Sequence, residues 1–281
     1  MIVAIVGAGR MGQGIGLALT RSAVEVTLLG RSPRTLQAPV RLQVDDWETG
    51  IRRAELVLVA TPDAVVPQVA QDLLALGAVE ARHVVLHLAG PLDRGALAAL
   101  EPTGAALGSF HPLQTVADPT LAPERLAGAY AGLEGDERAL EAGLRLAGLL
   151  GMTAIRIPAG GKAKYHAGAV MAANYTVALM GVAERLAREA GIDPDLARRM
   201  YLPLLRGAVG NVEALGTARA LTGPVRRGDL ATLRLHLVAL GDADRRLYRA
   251  LGLAALDLAR EAGAEGDLVV GVERELKEGE R

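Results

Sequence analysis

Short aliphatic runs alternate with helix-type segments through the first half of the chain. Strand-type runs recur at 2–6, 24–29, 40–44, 55–60, 83–88, 105–109, 129–133 and 153–157. Helical patterns lie near 10–21, 63–77, 93–100 and 136–150. This alternation predicts a mostly parallel sheet with helices on both faces. The connection at 30–39 is short and carries two prolines, so we expect a turn there instead of a crossover helix.

The pattern changes after Pro158. From Lys162 onward the sequence predicts helices only, near 162–190, 194–206, 208–221, 229–239 and 243–263. The charged stretch at 273–281 is expected to fray. We therefore expect an α/β domain over 1–158 and a helical domain over 159–281.

The predicted helix at 162–190 is apolar on more than one face, with aliphatic side chains from Val170 to Met180. A helix that is apolar all round is buried. We expect its own domain to cover one face and a partner subunit to cover another. This predicts a homodimer that forms through the helical domain.

Composition narrows the classes of partner. The chain has 281 residues, of which 51% are apolar, enough for a sizeable core. Its 31 basic and 32 acidic residues give a net charge of −1, so neither nucleic acid nor a membrane surface is an expected partner. The absence of cysteine excludes disulfides, thiolate metal sites and a cysteine nucleophile, and no metal site is expected.

The same features predict where the protein works. The apolar stretch at 167–182 contains Asn174 and is too short and too polar for a membrane span. The chain opens on strand-type residues, which are unlike a signal peptide. We therefore expect a soluble, cytoplasmic protein.

A glycine-rich turn follows the first strand-type run. It reads Gly7-Ala8-Gly9-Arg10-Met11-Gly12, the spacing G-x-G-x-x-G between a strand and a helix. The first glycine permits a tight turn, the second lets the backbone approach a pyrophosphate, and the third lets the helix pack closely on the strand. The turn predicts a dinucleotide site, and the alternative is a glycine-rich turn without a ligand. The fold class is then an α/β Rossmann domain with a doubly wound sheet, followed by an all-α C-terminal domain.

The end of the second strand indicates which dinucleotide binds. NAD sites carry an acidic residue there for the ribose 2′-hydroxyl, but this chain has Gly30-Arg31-Ser32. A guanidinium and a hydroxyl suit a 2′-phosphate, with Arg10 and Arg34 nearby, so we predict NADP(H). Alternatively, Arg31 is a solvated loop charge. Thr61 and Pro62 follow the fourth strand and are expected beside the cofactor, although Thr61 or Asp63 also suits a helix cap.

The segment Ser109-Phe110-His111-Pro112-Leu113-Gln114-Thr115 carries the candidate chemistry. It is expected to follow a strand and to lie at the rim of the ligand crevice. A histidine there takes or gives the proton that accompanies hydride transfer. Ser109 and Gln114 are candidates to orient it or to bind a polar substrate. The alternative is that His111 belongs to a turn set by Pro112.

A third cluster opens the long apolar helix. His166 and Asn174 share a helix face and are candidate substrate contacts, and Lys164 is a candidate catalytic residue or carboxylate contact. Packing roles for His166 and Asn174 are the alternative, and Lys162 is expected to be a solvated charge. His83 and His87 are interpreted as core or near-core histidines.

These motifs resemble a bacterial family of Rossmann-like proteins with a helical C-terminal domain of unassigned function, related to pyrroline-5-carboxylate reductase and deazaflavin-dependent NADP reductases. The segments that carry the resemblance are 7–12, 86–90, 109–115, 164–167, 174–175, 221–224 and 227–229. The His-Pro pair is also similar to one in prephenate dehydrogenases, which implies acid/base work for His111. Those enzymes carry a serine at the end of the preceding strand, where this chain has Ala89.

Taken together, the motifs predict an NADP(H)-dependent oxidoreductase that acts on a small polar, carboxylate-bearing substrate, with His111 as proton donor or acceptor. The rival hypothesis is a dimeric sensor or scaffold that binds NADP(H) without turnover. Ala89 favours the rival, because the hydroxyl that would polarise a substrate is missing.

Overall fold

The computed structural model describes residues 1–33, 35–44 and 46–278. Contacts group the chain into two compact units, Met1–Tyr175 and a second that begins at Thr176. Residues 159–175 therefore group with the first unit. The division into a dinucleotide-binding domain of 1–158 and a helical domain of 159–281 stays a prediction.

The described residues of the first unit form one eight-stranded sheet. Its strands are β1 (Ile2–Val6), β2 (Glu25–Gly30), β3 (Leu42–Val44), β4 (Leu56–Val59), β5 (Val84–His87), β6 (Ala106–Leu113), β7 (Tyr130–Gly135) and β8 (Thr153–Arg156). Their order is β3-β2-β1-β4-β5-β6-β7-β8. All pairs are parallel except β6 with β7. The predicted strands and the mostly parallel sheet are confirmed.

Helices cover both faces of this sheet. They are α1 (Arg10–Arg21), α2 (Trp47–Arg53), α3 (Val66–Leu76), α4 (Ala122–Leu126), α5 (Glu137–Leu149) and α6 (Lys162–Val170). Along β1, Val3 and Ile5 face one hydrophobic core while Ala4 and Val6 face the other. Two-sided burial is why these strands read as continuous apolar runs.

Strand β6 is longer than its sequence pattern predicts. The expected strand at 105–109 continues to Leu113, so His111 and Pro112 lie within the strand and not in a turn at its end. Antiparallel pairing with β7 sustains this extension, with His111 opposite Gly132. Pairing with β5 ends at Ser109, so residues 110–113 of β6 have a neighbouring strand on one side only. Proline is tolerated at such an edge position.

Several connections also differ from expectation. The helical pattern at 93–100 is a 3₁₀ segment, Arg94–Thr103, whose start Asp93 caps by accepting from the N–H of Gly95. The short helices α2 and α4 were missed because each spans under two turns and carries too few apolar positions to show a period. The described part of the connection at 30–39 contains bends and no helix, as predicted.

The second unit is helical. A π-helical turn, Met171–Tyr175, ends the first unit, and the second contains α7 (Thr176–Glu189), α8 (Pro194–Leu215), α9 (Thr217–Ala220), α10 (Pro224–Arg227), α11 (Leu230–Ala239), α12 (Asp242–Glu261) and α13 (Asp267–Lys277). The described helices include none that is long and apolar enough to span a membrane.

Two expectations for this unit were wrong. The predicted break between 206 and 208 is absent, because α8 runs through Pro203. Proline already has helical φ, so a long helix accommodates the one hydrogen bond that it removes. The stretch at 273–281 was expected to fray, but α13 remains helical up to Lys277. It is held because Val272 and Leu276 are buried against Leu256 and Ala259.

Candidate functional site

The glycine turn after β1 has the geometry that its spacing predicts. Gly7 has φ +115°, and a Cβ there would lie 2.7 Å from the carbonyl oxygen of Ala60. A Cβ at Gly12 would lie 2.2 Å from the carbonyl oxygen of Gly7. Gly9 instead faces open space and is the N-cap of α1, where no side chain caps the helix. The first and third glycines are thus required by packing, while the second leaves the helix N-terminus open to an anion.

A cavity of about 370 Å³ lies beside this turn. Most of the predicted cofactor residues line it, together with residues that the sequence did not indicate: Gly7, Ala8, Gly9, Leu29, Gly30, Arg31, Ser32, Trp47, Ala60, Thr61, Pro62, Val65 and Val69. The side chain of Thr61 does not cap the helical segment that follows, and its buried Oγ1 has no partner among the described residues. The predicted contacts Arg10, Met11 and Gly12 form the first turn of α1 and are not part of this lining.

Trp47 is the main residue of this cavity that sequence analysis missed. Its indole Nε1 donates to the carbonyl oxygen of Gly30 at 2.9 Å, which holds the ring against the end of β2. The only signal in the sequence was that Trp47 is the single tryptophan of the chain. Nothing in its local pattern places it beside the glycine turn.

Arg31 is not a free cation. Its guanidinium donates to Asp72 of α3 at 3.1 Å, and Gln68 donates to the other oxygen of the same carboxylate. Both members of the ion pair are exposed to solvent, so the pair is weak and exchangeable. A phosphate that binds Arg31 would share it with Asp72. Arg34, the other predicted helper, lies outside the described residues.

A second polar cluster lies on β5, β6 and β7. The strand register places His87 opposite Ser109, Ser109 opposite Glu134, and His111 opposite Gly132. Because residues paired in a sheet share a face, the side chains of His87, Ser109 and His111 belong to one surface. This surface lies at the carboxyl end of β5, the same edge of the sheet as the glycine turn after β1.

The first turn of α6 packs against this surface. The hydroxyl of Tyr165 is 3.0 Å from Nδ1 of His111. The imidazole of His111 makes edge contacts with the rings of Tyr165 and His166, at centroid separations of 5.5 Å and 5.4 Å. A Cβ at Gly90 would lie 2.1 Å from the ring of His166, and one at Gly132 would lie 2.8 Å from the Tyr165 hydroxyl. Glycine at both positions therefore admits the two rings.

Lys162 corrects an expectation. It was predicted to be a solvated charge, but it is 2% exposed and its Nζ donates to the carbonyl oxygen of Ala89 at 3.4 Å. Burial lowers the pKa of Lys162 to about 8, while the charges of Glu134, Asp63 and Asp93 raise it. Lys164, the lysine that sequence analysis favoured, is exposed. Two residues along a helix point in different directions, and the pattern did not show which lysine faces the sheet.

The imidazoles of His87 and His111 are held neutral. Burial, together with Lys162, His166 and His87, lowers the pKa of His111 to about 3. Burial also lowers the pKa of His87 to about 4, although its hydrogen bond to the Asp93 carbonyl opposes this shift. That bond uses Nε2, and the buried Nδ1 of His87 has no partner among the described residues. His83 is a core histidine as interpreted, bonded to the backbone of Glu80 and Ile51.

The remaining predicted contacts are placed differently. Ser109 is 1% exposed, and its hydroxyl has no partner among the described residues. The amide of Gln114 bonds to the backbone of Arg125 and Thr115, and Asn174 is exposed in the π-helical turn. In the described structure neither makes a hydrogen bond to the His111 cluster. Their roles stay predictions.

The fold and the glycine turn define the first unit as Rossmann-like. Residues 1–112 match a Rossmann-like domain family, and residues 129–255 match a domain of unknown function, DUF2520. The chain therefore resembles these two families over separate segments, as expected from the predicted resemblance to Rossmann-like proteins with a C-terminal domain of unassigned function. No curated protein sequence matches it.

Solved structures share this architecture. A Thermotoga maritima protein, TM1727, is 25% identical with a TM-score of 0.69, covering 93% of this chain and 100% of its own. A Bacteroides fragilis protein provisionally named an NADP oxidoreductase is 21% identical, with a TM-score of 0.70 and coverage of 90% and 97%. Plasmodium falciparum pyrroline carboxylate reductase with NADP bound is 11% identical, with a TM-score of 0.62 and coverage of 98% of both chains.

His87 should make the stability of the protein sensitive to acid. Its pKa rises from about 4 when folded to about 6.5 when unfolded, so the unfolded state binds more protons between these values. The free energy of unfolding should therefore fall as the pH is lowered from about 6.5 to about 4. The His87→Leu variant should lose less of this free energy than the wild type over the same range. Urea unfolding at several pH values measures this effect. Ser109→Ala, which removes a buried polar group that does not titrate, should keep the wild-type dependence, and equal losses in wild type and His87→Leu would contradict the expectation.

Proposed function

We propose that the protein is an NADP(H)-dependent oxidoreductase that acts on a small polar substrate bearing a carboxylate. The observation that carries the proposal is that one sheet edge holds both the open glycine turn and the His111 cluster. Ligands bind at this edge in α/β folds, at the carboxyl ends of parallel strands. The fold shared with an NADP-bound reductase is consistent with it.

The first unit has a place for the dinucleotide. The N-terminus of α1 and the backbone at Gly9 suit its pyrophosphate, and the unpartnered Thr61 hydroxyl is available to a polar group in the same cavity. Arg31 and Ser32 would hold a 2′-phosphate, since no acidic residue ends β2. When bound, NADPH supplies a hydride.

The His111 cluster would supply proton transfer and orientation. His111 would exchange a proton with the reacting oxygen or nitrogen of the substrate. The ammonium of Lys162, with Lys164 nearer solvent, would attract a carboxylate toward the same edge. Ser109, Gln114, His166 and Asn174 remain candidates for substrate contacts.

The second candidate function is a sensor that binds NADP(H) without turnover. Ala89 favours it, since this residue contributes only its carbonyl, which already accepts from Lys162. A protein that binds NADPH but reduces none of a panel of carbonyl and imine carboxylates would support the sensor.

We also propose that the protein is a homodimer that forms through its helical unit. Large apolar side chains are exposed on this unit, among them Val238 at 82%, Val177 at 73% and Leu204 at 69%. An apolar groove between α7 and α12 adds Leu179 and Leu251 to this surface. Exposed apolar area of this kind indicates an interface, and a second copy of the chain is the occupant that we propose.

NADPH should bind more tightly than NADH. Arg31→Ala should cost NADPH about 1.5–3 kcal/mol, the typical worth of a hydrogen bond to a charged group, and should change NADH binding little. Asp72→Asn should strengthen NADPH binding, because it removes the carboxylate that competes for Arg31. Calorimetry and quenching of Trp47 emission measure both effects. Arg21→Ala breaks a similar exposed ion pair, with Glu124, at the far end of α1 and serves as the control; equal native affinities for the two cofactors would refute the preference.

His111→Asn should lower turnover without weakening the cofactor. General acid–base catalysis contributes about 10²–10⁴-fold, and the loss should be of that order. NADPH affinity should stay nearly unchanged, because the cofactor residues lie on other strands. NADPH consumption with the substrate panel measures turnover. His236→Asn, an exposed histidine of the second unit, is the control. Full activity in His111→Asn would exclude His111 as the proton partner.

Sedimentation should show a dimer at micromolar concentration. Val238→Glu should shift it toward monomer, because a carboxylate would then be buried in an apolar interface. Leu121→Glu changes an exposed apolar residue of the first unit and should leave the dimer intact. A wild-type monomer under these conditions would sink the assembly proposal.

A further inference from the structure

We propose that Tyr165 holds His111 as a neutral imidazole with its proton on Nε2, and that Tyr165 replaces the proton that His111 gives to the substrate. The second of these roles rests on the oxidoreductase function proposed above. The first is a property of the folded protein and can be measured without any substrate. Tyr165 is thus a positioning residue, and it acts through His111.

The direction of the hydrogen bond follows from the surroundings of the phenol. Burial raises the pKa of Tyr165, so the phenol keeps its proton. Nδ1 of His111 lies 3.0 Å from the hydroxyl, and the described residues offer that proton no other acceptor. A hydroxyl that donates to Nδ1 is satisfied, whereas one that accepted from Nδ1 would leave its own proton without a partner. A neutral imidazole that accepts at Nδ1 carries its proton on Nε2.

The imidazole is also fixed in position. The rings of Tyr165 and His166 meet it edge-on, at interplanar angles of 88° and 80°. Those rings are in turn seated against Gly132 and Gly90, where a side chain would collide with them. The described residues offer no hydrogen-bond partner for Nε2 of His111. Nε2–H is therefore the polar group of this ring that remains for a substrate atom.

Burial and neighbouring positive charges keep the imidazole of His111 neutral. The groups that face it are Lys162 and His166 from α6 and His87 from β5, while Glu134, Asp93 and Asp63 act on Lys162. The ammonium of Lys162 lies 5.7 Å from the centre of the Tyr165 ring. Burial and this positive charge together oppose an imidazolium at His111, whose pKa is lowered to about 3.

These constraints define a two-proton transfer. As a substrate carbonyl or imine is reduced, the Nε2–H bond of His111 breaks and its proton bonds to the substrate oxygen or nitrogen. The O–H bond of Tyr165 breaks, and that proton forms a new bond to Nδ1. His111 stays neutral with its proton on the other nitrogen. To restore the starting state, Nε2 takes a proton from water and Nδ1 returns its proton to the phenolate of Tyr165. The transfer needs no imidazolium.

Nitrogen NMR of the histidine rings tests the first role. Between about pH 5 and pH 8, where a free histidine titrates, His111 should stay neutral with the proton on Nε2. Tyr165→Phe keeps the ring contact but removes the donor, so His111 should become a mixture of both tautomers. Tyr130→Phe, an exposed tyrosine of β7, should leave the wild-type signals unchanged.

Kinetics test the second role. Tyr165→Phe should lower kcat on the order of tenfold or more while KM and NADPH affinity change little. His111→Asn combined with Tyr165→Phe should be no slower than His111→Asn alone, because the two residues act as one unit.

The outcomes separate the two proposals. An imidazolium at His111 near pH 6, or a proton on Nδ1 in the wild type, would overturn the inference. So would an unchanged tautomer in Tyr165→Phe, or additive losses in the double variant. The expected NMR signals in a protein that reduces no substrate would support the pairing of Tyr165 with His111 and contradict the oxidoreductase function.

Discussion

Parallel pairing of β1, β4, β5 and β6 is the constraint on which both candidate sites depend. It brings the carboxyl ends of strands that are far apart in sequence to one edge of the sheet. At β1 that edge carries the glycine turn, and at β5 and β6 it carries His87, Ser109 and His111. The antiparallel β7 then sustains β6 beyond Ser109, which carries His111 past the end of β5.

Electrostatics at this edge are organised around one buried ammonium. Lys162 enters the sheet surface from the first turn of α6, where helix geometry itself favours negative charge. The charges of Glu134, Asp63 and Asp93 offset part of the cost of burying this ammonium. Burial is the main cause of the depressed pKa values of His87 and His111, and the positive charge of Lys162 lowers both further. Clusters of this kind, where burial and a specific charge combine, are typical of functional sites.

Sequence pattern predicted the regular parts of the molecule well, for physical reasons that can be named. Strands that are buried on both faces are continuous apolar runs, so the position of each strand could be predicted from the sequence. The glycine turn was predictable because a side chain at Gly12 would collide with backbone a few residues away, and one at Gly7 with backbone at the end of the adjacent strand. Pattern failed at Pro203, which the long helix α8 accommodates. It also failed where long-range packing overrides it, at the buried end of α13 and in the extension of β6 past Pro112.

The sequence by itself determined the fold class, the glycine turn and the missing acid at the end of β2, because each depends on local spacing and residue type. Only the tertiary structure decided which lysine is buried, that Trp47 lies beside the glycine turn, that Asp72 holds Arg31, and that Tyr165 bonds His111. Those pairs are separated by between 17 and 73 positions along the chain. Their meeting depends on strand order and helix rotation, which no local pattern encodes.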